Sequence, residues 1–258
     1  MNIGIFVTAR LGSTRLKRKH LLAIEGQSAI EILLNRVRFE FMSELALGTA
    51  KIVIVTADES ENRDFEKFVD NYTSVFFGSI HNIPLRHLQA ATCGCVDGIV
   101  AVDGDDILCS QQAMRQVHTA LEQGKRYVKT SGLPIGLNAF GYKTEFLSES
   151  IHSYEKAVLE TGWGRIFPSE VCFEIHSPPI EDVGEEFLRK LRYTLDYPLD
   201  YDLFCRLVRK IGSGITSATD REIVAVTIEE SLYLINQSVL DVYWDNVETN
   251  LALEKREM

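Results

Sequence analysis

The sequence predicts an α/β fold, a mostly parallel sheet with helices packed on it, and three observations carry that expectation. Short apolar runs bounded by turn residues recur at Ile3–Val7, Lys51–Thr56, Thr73–Phe77 and Asp97–Val102, the pattern of buried strands. Segments of helical apolar spacing fill the intervals, which is the signature of βαβ units with right-handed crossovers. Charge is also distributed unevenly. The chain carries 37 acidic against 27 basic residues, yet the loop after the first strand holds Arg10, Arg15, Lys17, Arg18, Lys19 and His20. In an open α/β sheet that loop lies at the edge where ligands bind, and a cationic cluster in an acidic chain points to an anion.

Taken in order, the loop after the first strand offers Gly12 for close backbone approach and Ser13 and Thr14 as neutral donors. Leu21–Ile24 is expected as a short strand before a turn at Gly26. Ser28 and Glu31 form a capping box for a helix over about 29–42. The second strand is followed by a helix over Ser60–Asn71, the third by a helix over Asn82–Thr92, and the fourth by a helix over Gln111–Gln123. Alternation weakens from Tyr127 to Ile180, where Gly132, Pro134, Gly136, Gly141, Gly162 and Gly164 punctuate short segments. This stretch is expected as a small insertion or lid, with a possible dimer contact. Lys190–Leu195 reads as a further strand ending at Asp196, and Pro198 suits the first turn of a helix over 199–211. Thr227 opens a further helix and Val239–Arg256 a last one, so 227–258 is expected to be mainly helical within one domain spanning 1–258.

The bulk properties exclude several classes. A net charge of −10 argues against non-specific binding to nucleic acid or an anionic membrane. No apolar run approaches the ~20 residues that cross a bilayer, and no secretory signal opens the chain, so a cytoplasmic location is expected. The five cysteines, at 93, 95, 109, 172 and 205, are scattered and read as reduced thiols.

Asp105 follows the fourth strand and Asp196 a much later one, so both carboxylates are expected on the sheet edge served by the basic loop. Mg²⁺ suits such a place, because it takes one or two carboxylates together with waters and phosphate oxygens. Asp103 and Asp106 read as turn residues.

The stretch ARLGSTRLKRKHL resembles the opening motif, A-R-x-x-S-x-R-L-P-G-K-x-L, of the CTP-dependent sugar cytidylyltransferases, which include the acylneuraminate and 3-deoxy-octulosonate types. VDGDDILCS, Gly78-Ser79 with Asn82, LPIGLNAFGYKTEFL and YTLDYPLDYDLF are similar, in family order, to motifs of the spore-coat polysaccharide cytidylyltransferase-like branch. The resemblance implies a Rossmann-like, GT-A-like nucleotidyltransferase fold, a three-layer sandwich that usually works as a homodimer. It implies transfer of CMP from CTP to a sugar or sugar acid, with release of pyrophosphate, in surface glycan synthesis. Carried onto matching positions, Arg10, Ser13, Arg15 and Lys19 would hold the triphosphate. The Ala9–Leu11–Gly12 backbone, with Ser79 and Arg86, would bind the nucleotide, and Asp105 and Asp196 would hold Mg²⁺. Trp163 and Arg165, in the TGWGR stretch, are candidate sugar contacts, set against a purely structural Trp in a Gly-rich turn.

The chain departs from the pattern at Lys17-Arg18 (usually Pro-Gly), Asp106-Ile107 (Cys-Pro), Asn82 (Asp), Asn138 and Phe140 (Asp and Glu), and Leu199 (Glu). The alternatives are a nucleotidyltransferase using another base or a non-sugar acceptor, or a non-catalytic relative that binds nucleotide.

Overall fold

The computed structural model describes residues 1–153, 158–160, 163–177, 180 and 183–245. A seven-stranded sheet is built from β1 (Ile3–Thr8), β4 (Ala50–Ala57), β5 (Thr73–Gly78), β6 (Gly98–Asp103), β7 (Tyr127–Ser131), β8 (Phe140–Lys143) and β9 (Cys172–His176). Its order is β5-β4-β1-β6-β8-β7-β9; β2 (Ala23–Ile24) and β3 (Gln27–Ser28) pair separately as a hairpin. All pairings in the large sheet are parallel except those of β8, which runs antiparallel to β6 and β7.

The central strands β1, β4 and β6 are buried on both faces, which is why they read as unbroken apolar runs. Ile5 and Val7 of β1, Ile52 and Ile54 of β4, and Val100 and Val102 of β6 enter one core, shared with α1 (Ala29–Leu47) and α3 (Gln111–Glu122). The alternate residues Phe6, Val53, Val55, Ile99 and Ala101 enter a second core, with α2 (Ile83–Gly94) and α4 (Thr144–His152). The layers are therefore helix, sheet, helix, as expected.

The Ser28–Glu31 capping box starts α1. The helix outruns its expected end, continuing to Leu47 past a non-helical break at Phe41. Ser60–Phe68 forms 3₁₀ turns rather than an α-helix. Of the expected Leu21–Ile24 strand, only the last two residues pair. The stretch 127–180 does not stand apart from the sheet: β7, β8 and β9 belong to it. These strands are only four or five residues long, too short for their alternation to show against the glycines around them.

Lys190–Leu195 is not a sheet strand. After α5 (Glu185–Leu188) it runs extended, with one isolated bridge between Arg192 and Ile135. Its alternation was genuine, since Leu191, Tyr193 and Leu195 are all buried, but the burial comes from packing and not from pairing. Asp196 is still delivered to the sheet edge, ahead of α6 (Pro198–Ile211).

Thr227 does not open a helix. It lies inside α7 (Asp220–Glu229), which starts at the Thr219–Glu222 capping box, and its hydroxyl donates to the Ile223 carbonyl (2.8 Å). Residues 237–245 are helical, with Tyr243 and Trp244 near their end; the expected continuation to Arg256 lies outside the described residues.

Gly136 fixes where the 190–196 segment can run. Its φ is +88°, and a Cβ built there would lie 2.4 Å from the Tyr193 carbonyl oxygen. Gly136→Ala is expected to cost about 2–4 kcal/mol, combining left-handed strain with a backbone clash. Urea denaturation measures it, and a loss below about 0.5 kcal/mol would contradict this role.

Candidate active site

β1 and β6 are in register so that Thr8 lies beside Asp103, and the Gly104 N–H donates to the Thr8 carbonyl (2.8 Å). The cationic loop after β1 and the acidic loop after β6 therefore leave the same edge side by side. The cationic loop is pinned from below. The Ala9 and Leu11 side chains are buried, and the Leu11 N–H donates to Asn62 Oδ1 (2.8 Å), whose own amide donates to the Ala57 carbonyl (3.0 Å). Gly12 is exposed next to Glu61, and the Ser13 hydroxyl accepts from the Leu16 N–H (3.4 Å).

Arg18 adopts φ 51°, ψ 33°, the left-handed conformation glycine favours, and its side chain pairs with Asp64. The loop thus keeps a left-handed residue at the motif's glycine position. His20 hydrogen-bonds through Nδ1 with the Gly104 carbonyl (3.1 Å). Burial, then the Lys19 charge, pushes its pKa down to about 4, so it is neutral near pH 7.

At the end of this loop the two predicted groups of charges meet. Lys19 is buried, and its Nζ donates to Asp196 Oδ1 (2.8 Å) and to Asp105 Oδ2. Arg15 Nη2 reaches Asp196 Oδ1 (3.2 Å) and Nη1 reaches the Tyr197 hydroxyl (3.5 Å). Arg192 Nη2 donates to Asp196 Oδ2 (3.1 Å), and its Nε lies 3.4 Å from Asp200 Oδ1. Backbone positions the pair, because the Leu195 N–H donates to the Asp105 carbonyl (2.9 Å).

Burial works to raise the Asp196 carboxyl, but Lys19, then Arg15 and Arg192, overrule it and hold its pKa below the usual range. Beside it, burial and then the Asp105 charge push Asp103 up to about 7 and Asp106 well above the usual range. Asp106 also accepts from the Thr194 hydroxyl (2.7 Å).

Two adjoining cavities open on this cluster, and both are lined by Arg15, Asp103 and Asp105. One, of about 350 Å³, runs past Ala9, Arg10, Ser13 and Lys19 to Arg86, Glu160 and Trp163. The other, of about 500 Å³, runs past Asp106, Arg192, Thr194 and Asp196 to Val239, Val242 and Tyr243.

The crevice thus collects most of the residues singled out from the sequence. Arg10 reaches it with its guanidinium donating to Glu160 (2.8 Å). Arg86 lines it too, but Nε and Nη2 donate to the Ser79 and Ile80 carbonyls (2.7 and 2.9 Å). Ser79 is held there by backbone contacts and does not itself line either cavity. Trp163 is buried on the Arg10 side, edge-on to His87, and exposed Arg165 lines neither side. Neither candidate sugar contact therefore faces the Tyr243 side. Thr161 and Gly162 of the same stretch lie outside the described residues.

Sequence reasoning missed Arg192, Thr194, Asp200 and the His87 bridge between Thr8 Oγ1 (2.8 Å) and Tyr142 Oη (2.5 Å). Asp200 had a signal. It stands at the third position of a helix opened by Pro198, where it accepts from the Asp196 and Tyr197 N–H groups (3.0 and 2.9 Å). Arg192 had none, because four residues along an extended segment do not mark neighbours.

Among the described residues no group of three or more His, Cys, Asp or Glu side chains surrounds a metal position. The donor set on hand, two oxygen-donor carboxylates sharing one ammonium ion, fits Mg²⁺, which completes its shell with waters and substrate phosphates.

The mostly parallel sheet with its one antiparallel strand carries at its edge a crevice lined by both cations and carboxylates. Comparison with known proteins supplies the class. Residues 4–159, more than half of the chain, match the Cytidylyltransferase family, and the chain belongs to that family of nucleotidyltransferases.

A cytidylyltransferase structure from Leptospira borgpetersenii superposes with a TM-score of 0.77 at 21% identity, covering 92% of this chain and 98% of that one. The CMP:2-keto-3-deoxy-manno-octonic acid synthetase complexed with CTP superposes with a TM-score of 0.58 at 13% identity, covering 81% and 99%. The uncharacterized protein MJ1063 of Methanocaldococcus jannaschii is 27% identical over 212 residues, 80% of this chain and 82% of that one. No helix among the described residues is long and apolar enough to cross a membrane.

Removing the central cation tests the cluster. Lys19→Met is expected to destabilise the fold by about 3–5 kcal/mol at pH 7, because it strips Asp105 of its ion-pair partner and leaves it beside Asp196, which keeps only Arg15 and Arg192. The Asp196 pKa is lowered on folding, so its stabilisation exists above the unfolded carboxylate pKa of about 4 and is lost as pH falls. The gap between wild type and Lys19→Met should therefore be widest near pH 7 and close below about pH 4. Thermal unfolding across that range checks it, and a pH-independent gap would contradict it.

Proposed function

We propose that this chain transfers CMP from CTP to a hydroxyl of a sugar or sugar acid, with Mg²⁺ bound at Asp105 and Asp196, and releases pyrophosphate. The observation that carries the reading is Lys19 joined to Asp105 and Asp196 where the two cavities meet. In phosphoryl transfer, positioning and charge stabilisation do most of the work, so the reacting phosphate belongs where opposite charges converge.

On this reading the Arg10 side takes the nucleotide. Backbone groups from Ala9 to Gly12 meet the base and sugar, with Ser79 and Arg86 shaping that end. Arg10, Ser13, Arg15 and Lys19 hold the triphosphate, and the Tyr243 side takes the acceptor. Mg²⁺ held by Asp105 and Asp196 would supply positive charge against the charge that develops as pyrophosphate leaves. Arg10 exchanges Glu160 for phosphate. With that ion as countercharge to the two carboxylates, the Lys19 ammonium would be free to meet the phosphates. Arg192 and Asp200 hold Asp196 in place throughout.

Two positions that depart from the family pattern hold defined local geometry, and this favours the catalytic reading over a non-catalytic relative. Arg18 adopts the left-handed conformation that glycine favours. Asn82 still caps α2 by accepting from the Leu85 N–H (2.9 Å). The motifs are nearest to the spore-coat polysaccharide branch, which favours a role in surface glycan synthesis by a cytoplasmic homodimer.

Pyrophosphate release measured with CTP, UTP, GTP and ATP, with and without Mg²⁺, tests the proposal. Turnover is expected with CTP and Mg²⁺, and Asp105→Asn should lower it by about 100-fold or more while the fold is retained. Full activity in Asp105→Asn would remove the metal assignment. Turnover with another nucleotide in preference to CTP would reassign the base.

A further inference from the structure

We propose that Thr8 binds the nucleoside part of the substrate, and that His87 and Tyr142 behind it are positioning residues that turn its hydroxyl proton outward, toward an uncharged acceptor atom on the base or ribose. The proposal rests on the cytidylyl-transfer reading, which puts the nucleotide on the Arg10 side.

Thr8 is the last residue of β1 and lines the cavity of about 350 Å³ together with Ala9, Arg10 and Arg86. Phe6, two residues earlier on the same face of the strand, enters the second core, so the Thr8 side chain leaves the sheet toward α2. There it meets His87, whose Nε2 lies 2.8 Å from Thr8 Oγ1. On its other side the imidazole bonds Tyr142 Oη through Nδ1 (2.5 Å). His87 and Tyr142 are fully buried, and neither lines either cavity. Phe6 and Trp163 stand edge-on to the imidazole, each ring centre 5.5 Å away, which fixes the plane of the His87 ring.

The direction of both hydrogen bonds follows from the protons available. Burial, then the Arg86 charge, pushes the His87 pKa down to about 3, so the ring is neutral near pH 7 and carries one N–H. Burial pushes the Tyr142 phenol well above its usual range, so it keeps its proton. Among the described residues that proton has one acceptor within reach, His87 Nδ1, and leaving it unbonded at a buried site would be costly. Tyr142 therefore donates to Nδ1, the ring proton sits on Nε2, and Nε2–H donates to Thr8 Oγ1. The Thr8 oxygen accepts that bond, and among the described residues its own proton meets no acceptor. It is left to a ligand in the cavity.

All three links are uncharged. The cations of the loop, Arg10, Arg15 and Lys19, already serve phosphate, whereas a neutral hydroxyl donor suits a carbonyl or hydroxyl oxygen. Thr8 also directly precedes Ala9, whose backbone opens the base and ribose contacts in the proposed pose. With His87 holding Thr8 Oγ1, the donor is ordered before the nucleotide arrives, and binding gains what that ordering would otherwise cost.

Two measurements on the full chain test this. Nitrogen-15 NMR of the assigned His87 ring in the free protein reports which nitrogen carries the proton. A single proton on Nε2 is expected from pH 6 to 8, and a bare Nε2 or protons on both nitrogens would overturn the relay.

Calorimetry then follows binding of CTP, CMP and inorganic triphosphate, each with Mg²⁺. Thr8→Val keeps the side-chain shape and loses the hydroxyl. It is expected to weaken CTP and CMP by the same factor, about five- to tenfold, and to leave triphosphate unchanged. Its melting temperature should also fall, since His87 Nε2–H loses its acceptor. Thr8→Ser, which restores the hydroxyl, should recover most of the lost affinity. A Thr8→Val protein that melts lower yet binds CTP and CMP like wild type has lost only a structural bond, and this would overturn the inference. So would an equal loss for triphosphate, or a Thr8→Ser that binds no better than Thr8→Val. In those cases, when wild type binds CTP and releases pyrophosphate, only the Thr8 contact has failed. When wild type neither binds CTP nor releases pyrophosphate with any acceptor, the cytidylyl-transfer reading has failed and takes the contact with it.

Discussion

One ammonium group between two carboxylates ties the site to the fold. Lys19 arrives on the loop after β1, Asp105 on the loop after β6, and Asp196 on a segment almost a hundred residues further along. Without that shared cation Asp105 would lose its ion-pair partner next to Asp196, which Arg15 and Arg192 also hold, at a place already crowded by Asp103 and Asp106. Fold and site therefore depend on each other. The parallel register of β1 and β6 sets the two loops side by side, and the charges they carry lock the late segment onto them.

A compensated cluster of this kind is also unfinished as a binding site. Arg10 and Arg15 are half exposed and pair with acidic partners that a polyphosphate can replace. Arg192 and Asp200 are buried and pair with each other and with backbone groups, so they stay in place when a ligand arrives. The division between exchangeable and fixed cations gives the crevice two characters. Arg10 and Arg15 are open to an anion, whereas Arg192 on the Tyr243 side is fixed.

Much of this was legible in the sequence. β1, β4 and β6 are buried on both faces, so their composition alone marked them, and β5, a half-buried edge strand, still reads as a short apolar run. The capping boxes of α1 and α7 were present as Ser28–Glu31 and Thr219–Glu222, but only the first was read, because Thr227 and two following glutamates imitate a helix start. Short β7, β8 and β9 were hidden among glycines that serve turns. The alternation at 190–195 marked burial correctly and pairing wrongly, since a sequence records which side chains are covered and not what covers them. The loop residues were found from position and charge, while for both aspartates position alone left a turn residue as good a reading and the family motifs around them decided. Arg192, Thr194 and the wall at Val239–Tyr243 were not, because only the tertiary path of the chain brings them to the crevice.

The most direct measurement is a crystal structure with CTP and Mn²⁺, the ion located by its anomalous scattering. The expected result is a peak at about 2.1 Å from oxygens of both Asp105 and Asp196, with the α-phosphate at the junction of the two cavities and Lys19 turned to the phosphates. An ion or nucleotide bound elsewhere, with Lys19 still closed on both aspartates, would contradict it.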